Sequence, residues 1–184
     1  MKLLREKKIA ITAMVLMIFA SILYGSYLSI AHERDAVVQT FYSVEFDSLQ
    51  GSLNRRMEYA QDMVYIGKQY NKLQESANQQ ADVETTLQAI ESLRKAETLS
   101  DKYDADLSLD EAVTDLYISL QGTEIKDSSD RDVKQVYNSF QLYSDPHLIE
   151  EYNSKATAFN LQLEKFPTNI FKALYHFDKV ELYQ

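Results

Sequence analysis

EEYNSKATAFNLQLEKFPTNIF, residues 150–171, is the stretch whose spacing decides how this chain folds. Starting from Ile149 just ahead of it, Tyr152, Ala156, Phe159, Leu163 and Phe166 recur at alternating steps of three and four. That is the a/d seam of a helix packed knobs-into-holes, so these side chains are expected to fill the core between helices. Asn153 and Asn160 each follow an aromatic residue at the seam's edge. An amide there can bond the backbone or a polar side chain of a neighbouring helix and set its register. Pro167 is expected to end this helix at Phe166, because proline lacks an N–H and disfavours helix in the residue before it. Thr168-Asn169 then caps a short amphipathic segment, IFKALYHF (170–177). Its Ile170, Phe171, Leu174, Tyr175 and Phe177 are too apolar for water, and either cover the base of the helical bundle or lie on a bilayer surface.

The same helical logic extends upstream. Among 184 residues only four are Gly and two Pro, and each costs about 1 or about 3 kcal/mol inside a helix. Phe46, Leu49, Leu53, Met57, Ala60, Val64 and Gly67 share one face of a long first helix over 35–79, with Gly67 at a close helix–helix approach. The polar run ESANQQAD (75–82) reads as the first turn. A second helix over 82–100 places Val83, Leu87, Ile90, Leu93 and Ala96 or Leu99 inward, and SDKYDAD (100–106) reads as a break. Ser108-Leu-Asp-Glu111 has the form of a capping box opening a third helix to about Leu120. After the polar connection 121–130, Val133, Val136, Tyr137 and Phe140 mark a fourth. Ser144-Asp145-Pro146 is a helix-start signal, opening either a kinked continuation or a separate helix over 145–166. No strand-like alternation appears before residue 178. The expected fold is all-α: an N-terminal transmembrane helix, an up-and-down four-helix-type antiparallel bundle, and a short C-terminal amphipathic helix.

The N-terminus supports that division. Residues 9–31, IAITAMVLMIFASILYGSYLSIA, carry no charge, and as a helix they reach roughly 34 Å, enough to cross a hydrocarbon core of about 30 Å. Lys2, Arg5, Lys7 and Lys8 precede the run against a single acid, Glu6, which assigns residues 1–8 to the cytoplasm and 32–184 to the outside. A cleaved signal peptide is the competing reading, since Ser29-Ile30-Ala31 places small residues at a candidate cut. The run exceeds a typical leader, however, and the helix continues past it. The outer part is strongly acidic, with 15 basic and 27 acidic residues in 32–184. The whole-chain net charge of −9 argues against nucleic-acid binding, which needs a basic face.

The run YN-x5-FN-x5-FPTNI, followed by His176-Phe177 and an acidic–aromatic tail, resembles the C-terminal signature of the LemA family. Leu53-Asn54-Arg55-Arg56 resembles the Leu-x-Arg-Arg of that family's first long helix, and the single N-terminal span agrees. The resemblance is strongest over 150–184. It departs where a Leu-Ile-Pro-like stretch would follow the arginines, because MEYAQDMV (57–64) has no proline. It implies a membrane-anchored helical bundle outside the cytoplasm of bacteria. The signature residues are then Arg55, Arg56, Tyr152, Asn153, Phe159, Asn160, Phe166, Pro167, Asn169 and Phe177.

The usual catalytic and metal-binding constellations are incomplete in this sequence. The chain has no cysteine, which excludes disulfides, thiolate metal sites and a cysteine nucleophile. None of His32, His147 and His176 has a Glu three residues earlier, which excludes the Glu-x-x-His of di-iron bundles. Asp104, Asp106, Ser108 and Asp115 stand at EF-hand-like offsets, but Leu109 occupies the glycine position and no Glu closes the loop. Arg55-Arg56 suits either an anionic partner or a salt bridge to a neighbouring helix. The expectation is therefore a non-enzymatic protein without cofactor or metal. It contacts the bilayer through 9–31 and an envelope protein or a second copy through its bundle. The alternative is a ligand-sensing ectodomain signalling through a separate membrane partner.

Overall fold

The computed structural model describes residues 2–43, 48–74, 77–121 and 128–184. The helices are α1 (Lys2–Tyr42), α2 (Leu49–Gln74), α3 (Ala77–Lys95), α4 (Leu99–Gln121), α5 (Ser128–Leu142), α6 (Pro146–Leu163) and α7 (Thr168–Tyr175). There is no strand among the described residues, and the all-α expectation holds. The chain divides into two compact units, Met1–Gln39 with Lys155–Val180, and Thr40–Ser154 with Glu181–Gln184.

The second unit is the bundle. Helices α2, α3, α4 and α5 pack each on the next, and α5 closes back on α2. Leu49, Leu53, Ala60, Met63 and Val64 of α2 are buried, as are Val83, Ala89, Ile90 and Leu93 of α3. Leu109, Val113, Leu116 and Leu120 of α4 join them with Val133 and Phe140 of α5. These are largely the faces that the three-and-four spacing selects. Thr86 is buried where Leu87 was expected to lead, its hydroxyl donating to Asp82 O at 2.8 Å and Ala112 O at 3.2 Å. Gly67 does mark a close approach: a Cβ there would lie 2.7 Å from Val83 Cγ2 and 3.4 Å from Leu116 Cδ1. Val83 is stiff at χ1, so Gly67→Ala is expected to lower stability by about 1 kcal/mol, overpacking of about 1–3 kcal/mol outweighing a propensity gain of about 1. Val83→Ala in the same chain should restore the urea midpoint.

Several boundaries differ from the spacing-based expectation. The first helix is not continuous from the apolar run to 79. Instead α1 ends at Tyr42 and α2 starts at Leu49, where the Gly51 N–H donates to Ser48 Oγ at 3.1 Å as an N-cap. Phe46, placed on the first helical face, lies outside the described residues, as do 75–76 of the expected first turn and 122–127 of the polar connection. Residues 77–82 of that turn already belong to α3.

SDKYDAD does not break the chain. It lies inside α4, and the interruption falls at 96–98. Thr98 caps α4 by accepting the Asp101 N–H at 3.1 Å. Small polar residues cost under about 1 kcal/mol each in a helix, and burial of Leu99, Ala105 and Leu109 overrides them. The proposed capping box at 108–111 is consequently mid-helix, with the Ser108 hydroxyl donating back to Asp104 O at 2.9 Å. The EF-hand-like offsets are helical too. The Ser-Asp-Pro signal opens a separate helix: Asp145 accepts the His147 N–H at 2.9 Å and Pro146 is the first residue of α6.

The first unit combines α1 up to Gln39, the second half of α6, α7 and the tail up to Val180. Ile30 and Val37 of α1, Ala156, Phe159 and Leu163 of α6, and Val180 are buried. Gln162 Nε2 donates to Glu33 Oε2 at 3.0 Å, tying α6 to α1. Helix α1 is long and apolar enough to cross a membrane, and its most apolar window has a mean hydropathy of 2.1 with nothing buried.

Candidate functional site

The residues singled out in sequence assemble as structural locks. In the first, the Arg56 side chain is 4% exposed. Its Nη2 meets Asp110 Oδ1 at 2.7 Å and its Nε lies 3.3 Å from Asp106 Oδ1, both carboxylates belonging to α4. The second approach is ionic without hydrogen-bond alignment, which leaves Nε and Oδ1 without a hydrogen-bonding protein partner. The guanidinium also lies 4.4 Å from the centre of the Phe140 ring. Of the two readings of the arginine pair, Arg56 takes the interhelical salt bridge. Arg55 pairs with Glu58 one turn on, at 2.8 Å.

The C-terminal tail enters the same cluster. Tyr183 is 1% exposed, its hydroxyl donating to Asp106 Oδ2 at 3.3 Å. Its ring packs edge-on against Tyr103 at 5.3 Å and at a tilt against Phe41 at 5.7 Å. Tyr152 also meets Phe41, at 5.4 Å, and donates its hydroxyl to Glu181 O at 2.7 Å.

Asn153 and Asn160 do not bond a neighbouring helix. Each clamps the extended tail as a second backbone would. Asn153 donates to Tyr183 O at 3.0 Å and accepts the Tyr183 N–H at 2.8 Å. Asn160 does the same to Val180, both bonds at 2.8 Å. The spacing has a physical reason: seven residues of helix rise about 10.5 Å and three extended residues advance about 10 Å. Heptad-spaced amides therefore match tail residues three apart. No pattern in 178–184 advertises the tail as a partner, so sequence reasoning missed Val180 and Tyr183. The matching signal, two Asn seven apart and two apolar residues three apart, is legible only in hindsight.

The seam itself holds for Tyr152, Ala156, Phe159 and Leu163, all buried, while Ile149 is half-buried. Phe166 is a correction: it is 79% exposed, because α6 ends at Leu163 and the seam with it. The expected Thr168-Asn169 cap is also absent. Pro167 occupies the cap position without a side-chain hydrogen bond, and its carbonyl accepts the Ile170 N–H at 3.0 Å. Asn169 is exposed, and its N–H donates to Lys165 O at 2.8 Å. Phe177 stacks on Tyr27 of α1 at 5.5 Å.

The electrostatics follow the burial. Desolvation holds the Asp106 carboxyl above the ordinary carboxylate range, against the pull of Arg56 and the Tyr183 hydroxyl. The folded chain thus binds this proton more tightly than the unfolded one. Its contribution to stability is full below about pH 3.9 and falls as pH rises through the raised folded value. Asp106→Asn should flatten that part of the stability–pH profile, whatever its effect on the absolute level, as read from urea midpoints across the acid range. Burial likewise pushes the Tyr152 phenol up to about 12 and raises Tyr183 further. Stability from both phenols is lost as pH climbs beyond about 10.

Among the described residues no group of three or more His, Asp or Glu is placed to hold a metal ion. An open groove at the α2–α3 seam is lined by Tyr65, Lys68, Gln69, Gln80, Glu84 and Leu87. No protein family, curated protein or solved structure matches this chain.

Proposed function

We propose that this chain is a LemA-like, single-pass bacterial membrane protein whose helical bundle lies outside the cytoplasm and works as a protein-interaction or scaffolding module of the cell envelope. The observation that carries the reading is the employment of the signature residues. Arg56 is spent on joining α2 to α4, and Tyr152, Asn153 and Asn160 on holding the tail to α6. A signature consumed by internal locks specifies a fold and leaves recognition to the surface. The exposed apolar helix α1, with its basic flank, supports the anchor and the orientation.

Tyr65, Leu107 and Ile118 are exposed on the bundle at 65, 54 and 59% and are the natural probe positions. A photocrosslinking residue placed at each, in intact cells, should capture a protein at one or more of them. Monomeric purified protein together with no adduct at any position would overturn the scaffold reading. Protease added to intact spheroplasts should cut the bundle, and protection there would overturn the orientation.

A further inference from the structure

Helix α7 leaves a stripe of apolar side chains in the open. Ile170 and Leu174, one turn apart on α7, are 55 and 52% exposed, and Phe166, just ahead of the helix, is 79% exposed. Tyr175 at its last position and Phe177 just beyond it dock on α1. The Tyr175 hydroxyl donates to Leu23 O at 2.8 Å, and its ring meets Tyr27 edge-on at 5.3 Å. Phe177 completes the cluster on Tyr27. The docking point thus lies within the uncharged run 9–31, four to eight residues before its end at Ala31.

We infer that α7 is an interfacial membrane helix, held by the Tyr27–Tyr175–Phe177 cluster so that Phe166, Ile170 and Leu174 enter the outer headgroup–acyl boundary. The inference rests on the reading of α1 as a membrane span. Four to eight helical residues correspond to about 6–12 Å below the end of the span, and interfacial helices bury their apolar face by about 5–10 Å. At the same level the span itself exposes apolar side chains, Ile22, Tyr24 and Leu28 being 53, 66 and 47% exposed. Charge selects the lipid. Around α7 the chain carries Lys165, Lys172 and Lys179 against Glu164 and Asp178, and Glu164 already pairs with Lys172 at 2.8 Å and Lys179 at 3.2 Å. With so little net charge left, apolar insertion into a zwitterionic surface carries the contact, rather than attraction to anionic headgroups. A docked α7 also gives the apolar segment after Pro167 a reason to be apolar.

The cysteine-free sequence allows a direct test. Single cysteines at Ile170 and, separately, Leu174 would carry a spin label in the full chain, reconstituted in phosphatidylcholine vesicles. Ile18 in the span and exposed Lys95 on α3 serve as lipid and water references. The expected result is preferential relaxation by oxygen over a water-soluble nickel reagent at both test sites, at a depth shallower than Ile18. Labels at 170 and 174 as wet as at Lys95, with Ile18 in lipid, would overturn the inference while leaving the span intact. A wet Ile18 would overturn the span and the inference with it. Shielding of 170 and 174 from both reagents would mean that protein, a second copy or another chain, covers the stripe, and would also overturn it.

Discussion

Arg56→Ala is expected to lower the unfolding free energy of the bundle by about 3–5 kcal/mol, the cost of leaving a buried carboxylate without its counter-charge. The side chain is almost fully enclosed and faces Asp106, itself 13% exposed, and Asp110, which is 42% exposed. Asp110 can turn to water when the arginine is lost. Asp106 cannot, and its carboxyl is already held above its ordinary range by burial. The Phe140 ring loses its cationic neighbour in the same substitution. The measurement is urea unfolding of the full chain in detergent, followed by the fluorescence of its 13 tyrosines. Arg56→Lys should fall between wild type and alanine, since one ammonium cannot serve two carboxylates and a ring as a planar fork does. Arg56→Met combined with Asp106→Asn should cost far less than the two single changes added together, because the pair is removed rather than broken. Additive losses would mean that Arg56 acts through packing alone.

Tyr183→Ala is the second large effect, at about 3–5 kcal/mol for truncating a fully buried aromatic side chain. The ring fills the space between Phe41 and Tyr103, and the hydroxyl gives Asp106 a hydrogen bond. Tyr183→Phe isolates the hydroxyl and should cost about 1 kcal/mol. Asn153→Ala leaves the ring in place but removes the clamp nearest the C-terminus, at about 1–3 kcal/mol for the two unpaired backbone groups of Tyr183. The variants should also differ in kind. Asn153→Ala and Tyr183→Ala should release the C-terminus to carboxypeptidase under native conditions, and Tyr183→Phe should not. A protected tail in Tyr183→Ala would show that the amide clamps suffice to hold it.

The helical faces were legible because helix periodicity is local. Leu109, Val113, Leu116 and Leu120 bury as their spacing requires, as do Tyr152, Ala156, Phe159 and Leu163. Helix ends were less so. SDKYDAD has the composition of a turn, yet propensity costs of a few tenths of a kcal/mol per residue cannot interrupt a helix whose apolar neighbours are being buried. Ser108-Leu-Asp-Glu111 shows the same limit: a capping motif caps only where the chain has a helix end to offer. Phe166 continued the seam on paper and is exposed because α6 stops one turn earlier.

By itself the sequence determined that the chain is helical, that its first apolar run suffices for a membrane span, and which stripe of each bundle helix is apolar. All of these are properties of residues within a few turns of one another. Only the tertiary structure decided what Asn153, Asn160 and Arg56 are for. Their partners stand 20 to 54 residues away along the chain. An amide or a guanidinium declares the groups it can bond and not which distant segment will bring them. That choice is made when the tail, extended and without periodicity of its own, meets a helix whose heptad spacing matches three of its residues.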